Sequence, residues 1–311
     1  MVKIVDVAVG LIVQGDQALI AWRGGERHQG DRYEFAGGKV DAHETPEQAL
    51  VRELREELGI EVTHHQFLQR LTYAYPEKTV RLHVYRVEQF TGVPHGREGQ
   101  PLHWVPMSQL DQYRFPDANA PIVRAAQLPC HYVVSPDGLM AQAAWLALHT
   151  RLPQGAWVYI RLPSLSGDEQ VCWINVLQQQ RPDLQLIVSS ELQDRGLPVK
   201  GYHLRQQQLM QCTTLTRASM MQMWFAACHD QASLQQAERL GVDAVLVGAI
   251  RATPTHPDHQ GIGWQGLTAM IAQRALPVYA LGGVTPDDLP QAQQCGAYGV
   301  AGIRAFYPQQ D

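Results

Sequence analysis

No run in this 311-residue chain approaches the roughly 18 apolar residues of a membrane-spanning helix, so a helical membrane protein is excluded. Cysteine is scarce. Cys130, Cys172, Cys212, Cys228 and Cys295 are odd in number, widely spaced and form no Cys-x-x-Cys pair, which argues for reduced thiols and against a disulfide frame or a zinc site. There is no excess of positive charge either: 25 Lys and Arg stand against 30 Asp and Glu, a net charge of −5. Duplex DNA or another polymeric nucleic acid is therefore not expected as the main ligand. A single nucleotide is compatible, because metal and a few local cations can meet its phosphates. The opening stretch Met1 to Val7 lacks the apolar core of a signal peptide, and the expectation is a cytoplasmic protein without membrane contact. What the chain does have is size, with 45% hydrophobic residues and length for two cores.

The richest segment runs from Gly38 through Glu44 to Arg52-Glu53-Leu54-Arg55-Glu56-Glu57-Leu58-Gly59-Ile60. Thr45, Pro46 and Gln48 write a helix start, with an N-cap, Pro at the first helical position and Gln three residues after the cap. The helix is predicted over Pro46 to Leu58, stopping at Gly59. Its period places Val51, Leu54 and Leu58 on one face and Glu53, Glu56 and Glu57 on another. Like charges at this spacing repel by about 0.2–0.5 kcal/mol per pair. Hard cations with oxygen ligands offset that cost, Mg2+ above all, which takes a few carboxylates together with phosphate oxygens and water. Arg52 stands four residues before Glu56 and is placed to orient one carboxylate.

This pattern, a Gly, five residues, a Glu, seven residues, then Arg-Glu-aliphatic-any-Glu-Glu-any-Gly-aliphatic, resembles the full Nudix signature with no position missing. Nudix hydrolases cut diphosphate bonds in nucleoside diphosphate derivatives with a divalent metal. Outside the signature the chain looks like the MutT branch, the 8-oxo-dGTP diphosphatases, through Glu34-Phe35-Ala36-Gly37-Gly38-Lys39, Glu44 to Ala49, Glu98-Gly99-Gln100-Pro101 and Phe115-Pro116-Asp117-Ala118-Asn119. Ala36 departs from the branch, which usually has Pro there. The resemblance implies a Nudix α/β/α sandwich and hydrolysis of 8-oxo-dGTP to the monophosphate and pyrophosphate with Mg2+, or Mn2+ in its place. It assigns base reading to Asn119, whose amide offers both a donor and an acceptor, and nucleotide contacts to Arg23, His28 and Phe35. Lys39 is a candidate for phosphate. Glu56, Glu57 and the Gly37 carbonyl are the expected metal ligands, Gly37 because a Gly-Gly turn lets backbone approach a cation. Glu53, one turn earlier, and Glu98, the matching distal carboxylate of MutT proteins, are candidates for the general base or for a shared place on the metal.

Strands are predicted around that helix at Val5 to Val13, Gln17 to Trp22, Leu68 to Tyr75 and Val80 to Phe90, the last two joined by a turn at Pro76-Glu77-Lys78, with a helix at Pro121 to Gln127. These elements make up a first domain, residues 1–128. Over residues 130–311 short apolar runs alternate with helical stretches. Strands are expected at His131 to Val134, Ala156 to Arg161, Leu184 to Val188, Trp224 to Cys228, Ala244 to Val247, Val278 to Leu281 and Gly299 to Ile303, and helices at Met140 to Arg151 and Ser233 to Leu240. The alternation suggests a (β/α)8 barrel, whole or trimmed.

The stretches Cys228-His229, Gly241 to Gly248, Ala280-Leu281-Gly282-Gly283-Val284 and Gly296 to Ile303, in that order, resemble the thiamine phosphate synthase and TenI family. The resemblance implies a phosphate site on Gly282, Gly283 and Gly302. It also implies that synthase chemistry is lost. Where the family holds Mg2+-pyrophosphate on Asp residues, this chain reads Ser189-Ser190 and His203-Leu204-Arg205-Gln206-Gln207-Gln208. Its Arg-any-Lys motif survives as Arg161-Leu162-Pro163, and His256 replaces the Lys of the phosphate loop. His229 lies where TenI-type proteins place a proton-transfer histidine. Two further readings stand beside nucleotide sanitation: hydrolysis of a thiamine-pathway diphosphate by the same glutamates, and a barrel that senses a phosphate compound and regulates the hydrolase.

Overall fold

The computed structural model describes residues 4–24, 31–76, 78–252 and 260–307. The chain divides into two compact units, Met1–Leu128 and Pro129–Asp311. Among the described residues no helix is long and apolar enough to cross a membrane.

The first unit is built on a seven-stranded mixed sheet. Strands β1 (Ile4–Gln14) and β2 (Gln17–Arg23) form a hairpin through Gly15-Asp16, with Gly15 in the left-handed region at φ 61°. Strand β3 (Arg32–Glu34) pairs with β2, and β4 (Gly37–Lys39) pairs with β1. Helix α1 (Pro46–Leu58) follows, then β5 (Glu61–Ala74), β6 (Thr79–Thr91), β7 (Leu102–Pro106) and the short helix α2 (Ala120–Ala126). The sheet order is β3-β2-β1-β6-β5 with β7 against β2, and β1 runs parallel to β6 while the other pairs are antiparallel. Central β1 is buried from Ala8 to Val13, as a strand covered on both faces must be.

Helix α1 lies over this strand. Thr45 accepts from the Gln48 N–H while the Gln48 side chain accepts from the Thr45 N–H, and Gly59 closes the helix in the left-handed conformation at φ 69°. The buried stripe is Leu50, Leu54 and Leu58 with Ala49, packed on Ala8, Ile12 and Tyr85. Val51, expected on that stripe, is only half-buried, because the four-residue ladder through Leu50 turns it away from the sheet. A Cβ on Gly10 would stand 3.0 Å from Leu54 Cδ1, so the absence of a side chain there sets how closely α1 approaches.

Two strands escape the alternation rule. The strand expected from Leu68 begins already at Glu61; its register against β6 shifts between Val62 and His64, between His64 and His65 and between Phe67 and Gln69, and each irregularity breaks the period of two. In the second unit Gly201–Leu204 is a strand that the sequence hides, four residues long with a histidine in it, yet buried throughout. Glu77, in the expected turn before β6, lies outside the described residues.

The second unit is a whole barrel, with no strand trimmed away. Strands β8 (His131–Val134), β9 (Trp157–Ile160), β10 (Gln185–Ser189), β11 (Gly201–Leu204), β12 (Met223–Cys228), β13 (Ala244–Gly248), β14 (Val278–Leu281) and β15 (Gly299–Gly302) pair in parallel and close in chain order, β15 returning to β8. Helices α3 (Gln142–His149), α4 (Gly167–Gln180), α5 (Gln206–Gln211), α6 (Gln231–Leu240), α7 (Gly263–Ile271) and α8 (Leu289–Gln294) separate them, except that a 3-10 helix, Ser190–Arg195, stands between β10 and β11. Tyr132, Phe225 and Tyr279 meet ring to ring at 5.1 and 5.4 Å and are fully buried. The closed parallel sheet thus surrounds packed side chains rather than a channel.

Candidate active site

Arg52 organises the acidic face of α1. Its Nε and Nη2 donate to the two oxygens of Glu44 at 3.2 and 2.6 Å, Nη1 donates to Glu53 at 2.9 Å and to Glu56 at 3.2 Å, and Nη2 also donates to the Lys39 carbonyl at 3.0 Å. This reach is wider than the single contact to Glu56 that the helical spacing suggested. Its hydrogen bonds lower the Glu44 carboxyl below its ordinary value, and the same partners raise the guanidinium. Glu53 is thereby fixed over the Gly-Gly turn, so close that a Cβ on Gly38 would fall 2.2 Å from its carboxylate. Glu56 stands out to solvent, 59% exposed.

Glu57 takes the opposite environment. It is largely buried and accepts the Gly37 N–H at 3.1 Å. Burial, followed by the charges of Glu34, Glu53 and Glu98, pushes its carboxyl up to about 7 against the downward pull of that hydrogen bond. The loop before β7 is clipped to the C-terminal end of α1: His95 N donates to Leu58 O, Arg97 N to Glu57 O, and Gln100 Nε2 to Glu57 O. Gln100 Oε1 in turn accepts the Glu98 N–H at 2.9 Å. These bonds carry Glu98 to the same cavity as Glu57.

That cavity, of about 410 Å3, has Trp22, Arg23, Glu34, Glu57, Glu98 and Gln100 in its wall. Arg23 and Glu34 end neighbouring strands and form an ion pair at 2.7 Å. Of the expected site residues, then, the structure gathers Arg23, Glu57 and Glu98 in the cavity wall and sets Glu53 beside them. Phe35, expected against the base, is 5% exposed and stacks on Phe115 at 5.1 Å, while Lys39 is exposed on β4. Neither lines the cavity, nor does Asn119. Asn119 is half-buried at the start of α2, and its side chain makes no cap hydrogen bond, so capping does not account for it. His28 lies outside the described residues. Glu34 and Gln100 were not singled out from the sequence. Three residues are too few to read as a strand, and Glu34 reaches the site only through the register of β3 on β2.

Among the described residues no three acidic, histidine or cysteine groups close into a complete metal cage. The donor set nevertheless fits a hard divalent cation. Among the described residues no ion pair holds the largely buried Glu57 carboxylate, and the charges of Glu34, Glu53 and Glu98 work against its ionisation. An open set of oxygen donors suits Mg2+, which keeps water and phosphate oxygens in its shell.

At the C-terminal end of the barrel strands, Gly282 and Gly283 have φ 95° and 69° and their carbonyls accept from Arg251, whose guanidinium also grips Asp288 at 2.7 Å. A Cβ on Gly302 would meet the Phe306 ring at 2.5 Å. All three glycines thus have a backbone or packing reason to be glycine. Ser189 ends β10 and Ser190 opens the 3-10 turn after it, and the adjacent carboxylate, Glu191, is paired with Arg205. His203 is buried and stacked on Tyr159 at 4.1 Å; burial and Arg161 push its imidazole down to about 3, so it is neutral. His229 Nδ1 lies 2.7 Å from the Gly248 carbonyl and must donate to it. His256 lies outside the described residues.

Two family models match this chain. The NUDIX domain covers residues 5–126, and thiamine monophosphate synthase covers residues 131–306, more than half of the chain. The 8-oxo-dGTP diphosphatase of Escherichia coli K12 is 39% identical over 122 residues, which make up 39% of this chain and 95% of that protein. The CTP pyrophosphohydrolase of the same organism is 36% identical over 123 residues, 40% of this chain and 91% of that protein. A protein described as putative thiamine-phosphate synthase 2 of Aquifex aeolicus is 33% identical over 123 residues, 39% of this chain and 66% of its own length. With its glutamates, its capped helix and its cavity accounted for, the chain belongs to the Nudix family as a pyrophosphohydrolase similar to the 8-oxo-dGTP diphosphatases, and its closed barrel belongs to the thiamine monophosphate synthase and TenI family.

Proposed function

We propose that the first unit hydrolyses 8-oxo-dGTP and related oxidised purine nucleoside triphosphates, releasing the monophosphate and pyrophosphate and so clearing them from the nucleotide pool. The observation that carries the reading is the meeting of Glu57, Glu98 and Arg23 in one cavity. It supplies an acidic wall for a metal-bound phosphate chain and a cation for the nucleotide. Glu53, Glu56, Glu57, Glu98 and the Gly37 carbonyl would hold Mg2+, or Mn2+ in its place. When bound, that ion lowers the pKa of water and spreads the charge that develops on phosphoryl oxygens.

The chain's own residues do the rest. A water oxygen bonds to phosphorus as the bridging P–O bond breaks, and the water proton passes to Glu53 or Glu98. Arg52 keeps Glu53 over the Gly-Gly turn throughout. Asn119 reads the oxidised base with its amide, and Arg23, His28, Phe35 and Lys39 complete the nucleotide contacts. In the second unit Gly282, Gly283 and Gly302 would receive a phosphate compound, without synthase activity, since Glu191 is already engaged by Arg205 and neither Ser189-Ser190 nor His203 to Gln208 offers an aspartate.

The test is a substrate panel of 8-oxo-dGTP, dGTP, CTP, ADP-ribose and thiamine diphosphate, compared by kcat/KM with Mg2+ and again with EDTA. The expected result is a lead of 8-oxo-dGTP over dGTP by about a hundredfold or more, removed by Asn119→Ala, with no turnover in EDTA. A lead for CTP or thiamine diphosphate, or turnover in EDTA, would overturn the reading.

A further inference from the structure

Arg23 and Glu34 stand diagonally across β2 and β3, since Ala21 faces Glu34 and Arg23 faces Arg32 in the antiparallel register. Nη1 of Arg23 donates to Glu34 Oε2 at 2.7 Å, both side chains are about 70% covered, and both line the cavity. The Nε atom of the same guanidinium is buried and has no hydrogen-bond partner. A guanidinium carries its donors in a rigid plane, so fixing one edge fixes the aim of the others. Since that atom has no surface open to the cavity, the donors that can meet a ligand are at the exposed Nη end of the fork, which Glu34 holds in place. Nothing on β2 itself holds Arg23 in this orientation; its neighbour Trp22 is tied by backbone to Pro101 and by its ring to Tyr33.

We propose that Glu34 is a positioning residue: by accepting from Nη1 it locks the Arg23 fork in the cavity wall and aims the remaining Nη donors at an acceptor atom on the base or sugar of the nucleotide. The inference rests on the reading of the cavity as a nucleotide site, and it is independent of which base is preferred. It also separates Glu34 from its acidic neighbours. Glu57 and Glu98 face the phosphate chain, whereas Glu34 acts through a cation and on binding rather than on turnover.

The experiment is a double-mutant cycle on the full chain with Glu34→Gln, Arg23→Ala and the two together, plus Glu34→Asp. The monophosphates of 8-oxo-deoxyguanosine, deoxyguanosine and cytidine are titrated in EDTA with Trp22 as the fluorescent reporter, and kcat and KM are measured with Mg2+. Removing metal silences any role of Glu34 as a metal ligand. Glu34→Gln is expected to weaken monophosphate binding in EDTA about fivefold or more, to raise KM with kcat within about threefold, and to have no further effect once Arg23 is Ala. Glu34→Asp, which keeps the charge, recovers part of the loss, a result that a purely structural role would not give. Unchanged binding of Glu34→Gln in EDTA, or effects of the two substitutions that simply multiply, would overturn the assignment. Coupling without any preference for the oxidised base keeps it and removes the 8-oxo-dGTP reading instead; the preference without coupling does the reverse, and no binding by the unaltered chain in EDTA overturns the assignment while the hydrolase reading still rests on kcat/KM with Mg2+.

Discussion

Ionising Glu57 costs the folded chain free energy, because burial and the charges of Glu34, Glu53 and Glu98 raise its carboxyl to about 7 from an ordinary value of 4.5. Between those two pH values the folded side chain holds a proton that the unfolded one has released, so stability falls as pH rises through the window, by about 3 kcal/mol from this group alone. Glu57→Gln removes the effect. In denaturant unfolding with EDTA, the substituted chain is expected to gain on the unaltered one by about that amount between pH 4.5 and 8, and Mg2+ added at pH 8 to close the gap by binding only the folded form. An unchanged difference across the window would show that Glu57 does not carry this cost. The two glycines beside it separate fold from chemistry. A Cβ on Gly37 would meet the Ala8 carbonyl oxygen at 2.1 Å in a backbone with φ 145°, whereas a Cβ on Gly38 would meet only the movable end of Glu53. Gly37→Ala is expected to destabilise the first unit by about 2 kcal/mol or more, and Gly38→Ala to leave its melting temperature nearly unchanged while lowering kcat at least about tenfold. Thermal melts and steady-state rates on the two variants read this directly.

Helix α1 shows what an element adds to its residues. Its start, stop and charged face were legible because each is local: Thr45, Pro46 and Gln48 at one end, Gly59 at the other, and glutamates at helical spacing between them. Of what Arg52 does, only the contact to Glu56 was legible. Arg52 also ties the helix to Glu44 and to the carbonyl of Lys39, contacts made by the return of the chain through β4 that no spacing within the helix encodes. The same holds for Glu34 and Gln100, which reach the cavity by strand register and by a clipped loop. It holds for β5, whose bulges erase its alternation, and for β11, too short and too polar in sequence to stand out. Arg52→Lys tests the element as a unit. One ammonium cannot replace a fork that serves Glu44, Glu53, Glu56 and Lys39, so unfolding is expected to become easier by about 1–3 kcal/mol and kcat to fall about tenfold, as Glu53 loses its anchor. A variant with unaltered stability and rate would show that the arginine only decorates an exposed face.

At the scale of the molecule, every residue named for the hydrolase, from Arg23 to Asn119, lies within Met1–Leu128, a unit with its own sheet, its own capped helix and its own apolar cluster around Leu50, Leu54 and Tyr85. The barrel closes on itself in chain order and keeps a separate core. At its strand ends Ser189 closes β10, glutamines fill α5, and Glu191 is paired with Arg205. Two outcomes follow for the divided chain. Residues 1–128 alone are expected to hydrolyse the preferred nucleotide with kcat/KM within about threefold of the full chain, since no group of the proposed chemistry is removed. Residues 129–311 alone are expected to fold, as circular dichroism and a cooperative melt would show, and to form no thiamine phosphate from its pyrimidine diphosphate and thiazole phosphate precursors in Mg2+. If instead the first piece is well folded by the same measures and yet loses more than about tenfold in kcat/KM, the barrel supplies something to hydrolysis. Adding the isolated barrel back in trans would then separate a contribution of contact, which returns with concentration, from one that needs the covalent link.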